Sequence, residues 1–186
     1  MAQLIDFEAR AMASLRRRVA EVEEANQDLI AFARGHSGAV SAIHAAVLAA
    51  MDAEGLDHLI HILTQEWPHI LGLDAVALAL FVEDRALRAD SSGLQFVEPR
   101  VIARALCGLD GVVLRDVGRG HPLFGPASDL IRAEALIRLD AAPPLPSGLL
   151  ALGQRAPQGF DTRHGAELLT FLGGAVSRMI GRWLLP

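Results

Sequence analysis

Leu15, Val19, Val22, Asn26, Leu29 and Ala33 recur at alternating steps of four and three, and Ile5 and Met12 extend the series towards the N-terminus. A 3.5-residue period keeps one apolar stripe facing a second helix along its whole length, so residues 1–34 are expected to form a coiled-coil helix. With Val19 at position a, Val22 falls at d and Asn26 at the next a. A lone Asn in the seam lowers stability but favours a two-stranded, parallel pairing. Arg18 at g and Glu23 at the following e have the opposite signs such a pair wants, although an exposed pair contributes only about 0.3–0.5 kcal/mol. The seam Leu15, Val19, Val22, Asn26 and Leu29 is therefore the expected homodimer interface. An amphipathic helix packed on its own domain is the alternative.

Gly35, His36, Ser37 and Gly38 interrupt the repeat and predict a hinge or short linker, with a second domain over residues 39–186. Helices are expected over 39–53 and 56–71, the latter kinked or ended at Pro68. The segment 75–82 is the most strand-like. Val76, Leu78, Leu80 and Val82 alternate with Ala75, Ala77, Ala79 and Phe81, so both faces are apolar and the strand is central. One face is large and the other small; the small face suits either close packing or a ligand space. Strands over 85–89, 111–117, 133–139 and 148–153, a short helix over 99–106, a loop over 118–128 and a broadly apolar helix over 162–183 complete the pattern. Short connections between strands favour an antiparallel sheet with terminal helices covering one face, an α+β architecture. The breadth of the last apolar arc predicts contact with the sheet and also with the second helix or another subunit.

Composition narrows the function. The net charge is −5, and Arg16, Arg17 and Arg18 form the only basic cluster, so no nucleic-acid partner is expected. The apolar segment 39–51 is too short to span a bilayer and contains His44, and an N-terminal apolar h-region is missing, so neither a membrane partner nor a secretory signal is expected. One cysteine, Cys107, excludes an intramolecular disulfide and agrees with a cytoplasmic location. Cys107 has no activating base nearby in sequence and reads as a buried structural residue. His58 and His61 share a helix face without further ligands and read as solvated. No nucleophile elbow, P-loop or dinucleotide fingerprint is present, so the chain is not expected to be an enzyme, and no cofactor can be named.

The block from Gly148 to Gly153, followed by Pro157, Phe160, Gly165, Leu168, Leu169, Phe171, Leu172 and Gly173, resembles the C-terminal half of GAF-like domains. More narrowly, it is similar to a proteobacterial family of domains of unknown function, which the stretches 24–26, 73–78, 123–125 and 134–139 also fit. The resemblance implies a GAF-like, PAS-related antiparallel sheet of five or six strands with helices behind it. It also implies a small-molecule site between the sheet and the middle segment, read out through terminal helices. Paired catalytic cysteines and a cyclic-nucleotide pattern are missing. Arg115, Arg119, His121, Phe124 and Arg132, with Ala77 and Ala79 on the small face, are the candidate ligand residues, because guanidinium groups beside an apolar sheet suit a carboxylate or phosphate. The alternatives are arginines in solvent or paired with Asp116 and Asp129, and Phe124 as a core plug. The expected function is a dimeric regulatory or sensor domain acting on a separate effector protein, or a scaffold whose pocket is filled by side chains.

Replacing Asn26 by Leu is expected to raise the melting temperature and to loosen the choice of two strands, read by thermal denaturation and light scattering. An unchanged melting point and an unchanged association state would remove Asn26 from a seam.

Overall fold

The computed structural model describes the backbone of residues 2–82, 85–139, 147–157, 160 and 165–184. Within the first helix, side chains are described at 17–24, 26, 27, 35 and from 37 onward; Val82 and Leu184 are described by backbone alone. The chain divides into two compact units, Met1–Ser41 and Ala42–Pro186.

Helix α1 (Ala2–Met51) provides all the described backbone of the first unit and the opening turns of the second. It passes without a break through Gly35–Gly38, which corrects the expected linker. A helical glycine costs only about 1 kcal/mol relative to alanine. The chain has no proline before Pro68, and alanines at 39, 42, 45 and 46 carry the helix onward. Of the seam residues, Val19 and Val22 are 55% and 67% exposed and Asn26 is exposed. The side chains of Leu15 and Leu29 lie outside the described residues.

In the second unit, α2 (Leu56–His61), a π-turn (Ile62–Glu66) and α3 (Trp67–Leu71) make one helical run. Pro68 cannot donate to the carbonyl of Thr64 four residues back, and the wider turn immediately before it accommodates that loss. The run ends at Gly72, whose φ of 66° is the left-handed C-cap conformation. Strands β1 (Ala75–Val82), β2 (Arg85–Asp90), β3 (Gly93–Val97), β4 (Val112–Asp116), β5 (Ala133–Leu139) and β6 (Gly148–Gln154) form one sheet in the order β3-β2-β1-β6-β5-β4. Every neighbouring pair is antiparallel. Helix α4 (Pro99–Leu106) follows β3, a 3₁₀ segment (Pro122–Asp129) follows β4, and α5 (Gly165–Leu184) closes the described chain. The edge strand β3, exposed over Gly93–Phe96 and half-buried at Val97, shows no alternation and is absent from the sequence-based expectation.

The unequal faces of β1 organise two apolar layers. Val76, Leu78 and Leu80, with Ile137, Leu139, Leu150 and Leu152, pack against Ile43, Ala46 and Ala50 of α1, Leu59 and Trp67, and Leu169, Leu172, Val176 and Ile180 of α5. Trp67 is fully buried, and its indole N–H donates to the Ala46 carbonyl at 3.0 Å. A Cβ on Gly173 would lie 2.5 Å from Ile137 Cγ2, so glycine lets α5 approach β5 closely. The broad apolar arc of α5 is thus used within this unit against sheet and helices, while Phe171 stays 53% exposed. On the opposite face, Ala77, Ala79, Ala86 and Ala151 meet Ile102 of α4, Leu109, Leu123 and Phe124 of the 3₁₀ segment, and Ile131.

Candidate functional site

Strand β5 is apolar except for Glu134 and Arg138, and Glu134 is 1% exposed on the face covered by the 3₁₀ segment. Register explains its position. Glu134 pairs with Arg115 on β4 and with Gly153 on β6. Arg115 donates from both Nε (2.8 Å) and Nη2 (2.6 Å) to Glu134 Oε1. The backbone N–H of His121 donates to Oε2 at 2.7 Å. A buried carboxylate is tolerated only when its lone pairs are taken by donors. Here it fixes the point at which the chain leaves the β4 loop and enters the 3₁₀ segment.

His121 then caps that segment, accepting the Leu123 N–H on Nδ1 at 3.2 Å. An accepting Nδ1 places the ring proton on Nε2. Burial holds the His121 pKa below 6.5; the Glu134 charge opposes this and the Arg115 charge reinforces it. The imidazole is therefore neutral at pH 7.

Further along, Gly125 (φ 55°) sits over a second polar group, Arg88 and Asp90 on β2. Arg88 Nη2 lies 3.2 Å from Asp90 Oδ2 and donates to Gln95 at 2.7 Å, while Asp90 Oδ1 accepts the Ser92 N–H at 2.8 Å and the Ser92 hydroxyl. A Cβ at residue 125 would lie 2.6 Å from Asp90 Oδ2, so a side chain there meets both an unfavourable φ and a clash. Between these anchors Phe124 lies on β6: a Cβ on Gly153 would come within 3.0 Å of its ring.

Beside this covered centre, towards β4, a cleft of about 250 Å³ remains. Its walls are Arg104 and Ala105 at the end of α4, the turn Cys107–Leu109, and Val113, Arg115, His121 and Leu136. Of the candidate ligand residues, only Arg115 and His121 line it. Phe124, Ala77 and Ala79 are buried in the neighbouring apolar layer. Arg119 is 70% exposed and pairs with Asp129 at 2.7 Å; Arg132 Nη1 donates to the carbonyls of Asp129 and Ile131, both at 2.8 Å. Cys107 is exposed on the cleft wall, which corrects its reading as a buried residue: the turn after α4 leads out of the apolar layer before Leu109 re-enters it. Glu134, Arg104 and Leu136 were not singled out in the sequence, although a glutamate within an apolar strand is a visible sign of a buried, partnered charge. No three His, Cys, Asp or Glu side chains among the described residues cluster in a way that could hold a metal. No helix among the described residues is long and apolar enough to cross a membrane.

A six-stranded antiparallel sheet with helices behind it and a middle segment on its other face is the GAF-like fold, and solved structures agree. The chain is similar to the chromophore-binding domain of the bacteriophytochrome RpBphP3 from R. palustris (15% identity, TM-score 0.53), with 76% of this chain covering 60% of that one. It is similar to free methionine-R-sulfoxide reductase from Neisseria meningitidis, solved with its substrate (17% identity, TM-score 0.53, 75% of this chain and 86% of that one). It is also similar to the GAF domain of the Acinetobacter phosphoenolpyruvate-protein phosphotransferase (12% identity, TM-score 0.54, 77% and 92%). These likenesses establish the fold. No curated protein matches the chain in sequence. The chain belongs to the family described as "Protein of unknown function, DUF484", whose model matches residues 1–185.

The lowered His121 pKa makes stability depend on pH. Between the folded value and 6.5 the unfolded chain binds more protons than the folded one, so protons favour unfolding. The contribution is complete above pH 6.5 and is lost as pH falls through 6.5 and then through the lowered value. In urea denaturation, the wild type should lose more stability between pH 7 and 5.5 than His121→Asn; equal losses would contradict a half-buried neutral imidazole.

Proposed function

We propose that this chain is a non-catalytic, cytoplasmic regulatory module of GAF type, dimeric through its N-terminal helix, that binds a small molecule and conveys its occupancy to a separate effector protein. The observation that carries the ligand reading is the cleft beside β4, because two of its lining residues, Arg115 and His121, are the ones bonded to Glu134. A ligand there would touch Arg115 and His121 directly, and any preference for one arrangement of the segment would shift its equilibrium. Exposed Val19 and Val22 support the dimer reading, since a seam of that period suits a second helix along its length.

A second reading has its own support. Phe124, Leu123 and Ile102 occupy the space over Ala77 and Ala79, which suits an interaction scaffold with a filled pocket. Under that reading the helix is the whole interface and the cleft stays empty.

Native mass spectrometry of the protein purified from its own cells separates these readings. Two chains with a bound small-molecule mass are expected; two chains without one would favour the scaffold, and single chains at micromolar concentration would contradict the dimer.

A further inference from the structure

We propose that the cleft takes a small amphipathic oxyanion, a short acyl or alkyl chain ended by a carboxylate or a phosphate. This rests on the ligand reading above and narrows it.

The wall is divided by chemistry. Leu109, Val113 and Leu136 give it an apolar side, and Leu109 and Leu136 are only 6% and 3% exposed. Arg104, Arg115 and His121 give it a donor side. No acidic residue among the described residues lines it. Glu134, the nearest acid in the network, has both oxygens engaged by Arg115 and by the His121 N–H. Its charge is spent inside the fold, and it holds Arg115 in one orientation. Arg115 uses Nε and Nη2 on the carboxylate and keeps Nη1 for a ligand. Arg104 has no ion-pair partner among the described residues, so it supplies an uncompensated positive charge at the rim. His121 presents Nε2–H, because Nδ1 already accepts from Leu123. Three donors from three separate elements, one of them on a fixed guanidinium, match an oxyanion and offer a cation nothing.

Size limits the rest of the molecule. At about 250 Å³ the cleft lies below the range of drug-sized sites, which suits a short chain along Leu109, Val113 and Leu136.

The test is an NMR titration of the full chain, following the His121 ring nitrogens and the backbone amides of 107–109. Four probes share one chain length: hexanoate, hexyl phosphate, 1-hexanol and hexylamine. At least one anion should shift these signals, with hexanol and hexylamine about tenfold weaker or more, the difference a charge-assisted contact makes. The tighter of the two anions identifies the head group. Arg104→Gln, an exposed change that should leave the melting temperature as it is, should weaken the anion about tenfold. Hexanol binding as tightly as the anions would overturn the oxyanion class while leaving a ligand site in place. Anions that shift no signal at 107–109 or His121 would overturn the proposal. An adduct seen in the native mass spectrum would then keep the broader ligand reading alive, and its absence would end that too.

Discussion

The contact on which this structure depends is the seat of Phe124 on the small face of the sheet. Alanines at 77, 79 and 151 and the bare backbone of Gly153 form a shallow apolar floor, and a benzyl group with its neighbours Leu123 and Ile102 closes it. Burial of a phenyl ring is among the larger single contributions a core residue makes. The same contact fills the centre of that face. Beside the filled centre of that face, between the end of α4 and β4, lies the cleft of about 250 Å³.

Glu134 positions what Phe124 fills. A buried carboxylate without donors would be far too costly, so the two hydrogen bonds from Arg115 and the one from the His121 backbone are a condition of the fold and not an ornament to it. They also orient the Arg115 guanidinium beside the cleft, while the Leu123 N–H, by bonding to Nδ1, leaves the His121 ring proton on Nε2. From β2, Arg88 Nη1 donates to the Pro122 carbonyl at 3.5 Å, and Gly125 lies against Arg88 and Asp90. The segment over the sheet is thus pinned at two polar points with an apolar plug between them.

Much of this was legible in the sequence. The alternation of alanines with large residues over 75–82 announces a strand covered on both sides, and the two apolar layers follow it residue by residue. The strand limits over 133–139 and the helix over 99–106 are visible in pattern and in Pro99. Other features depend on partners distant in sequence. Nothing local shows that Arg115 would face Glu134, nineteen residues on, and not Asp116 or Asp129. Nor does local sequence show that Arg119 would turn away to Asp129. Gly35–Gly38 looks like a break because glycine disfavours helix, but the penalty is small against a long run of helix formers. Strand β3 was hidden because an edge strand needs no alternation when both of its sides are exposed.

The most direct test of this account is equilibrium denaturation of the wild type and of Phe124→Ala, each with and without indole. Loss of the ring should destabilise the protein by about 3–5 kcal/mol and open an apolar cavity over Ala77 and Ala79. Indole should then stabilise the variant and leave the wild type unchanged. Equal stabilisation of both proteins would mean that the centre of the face is already open, and the placement of the site beside β4 would fall with it.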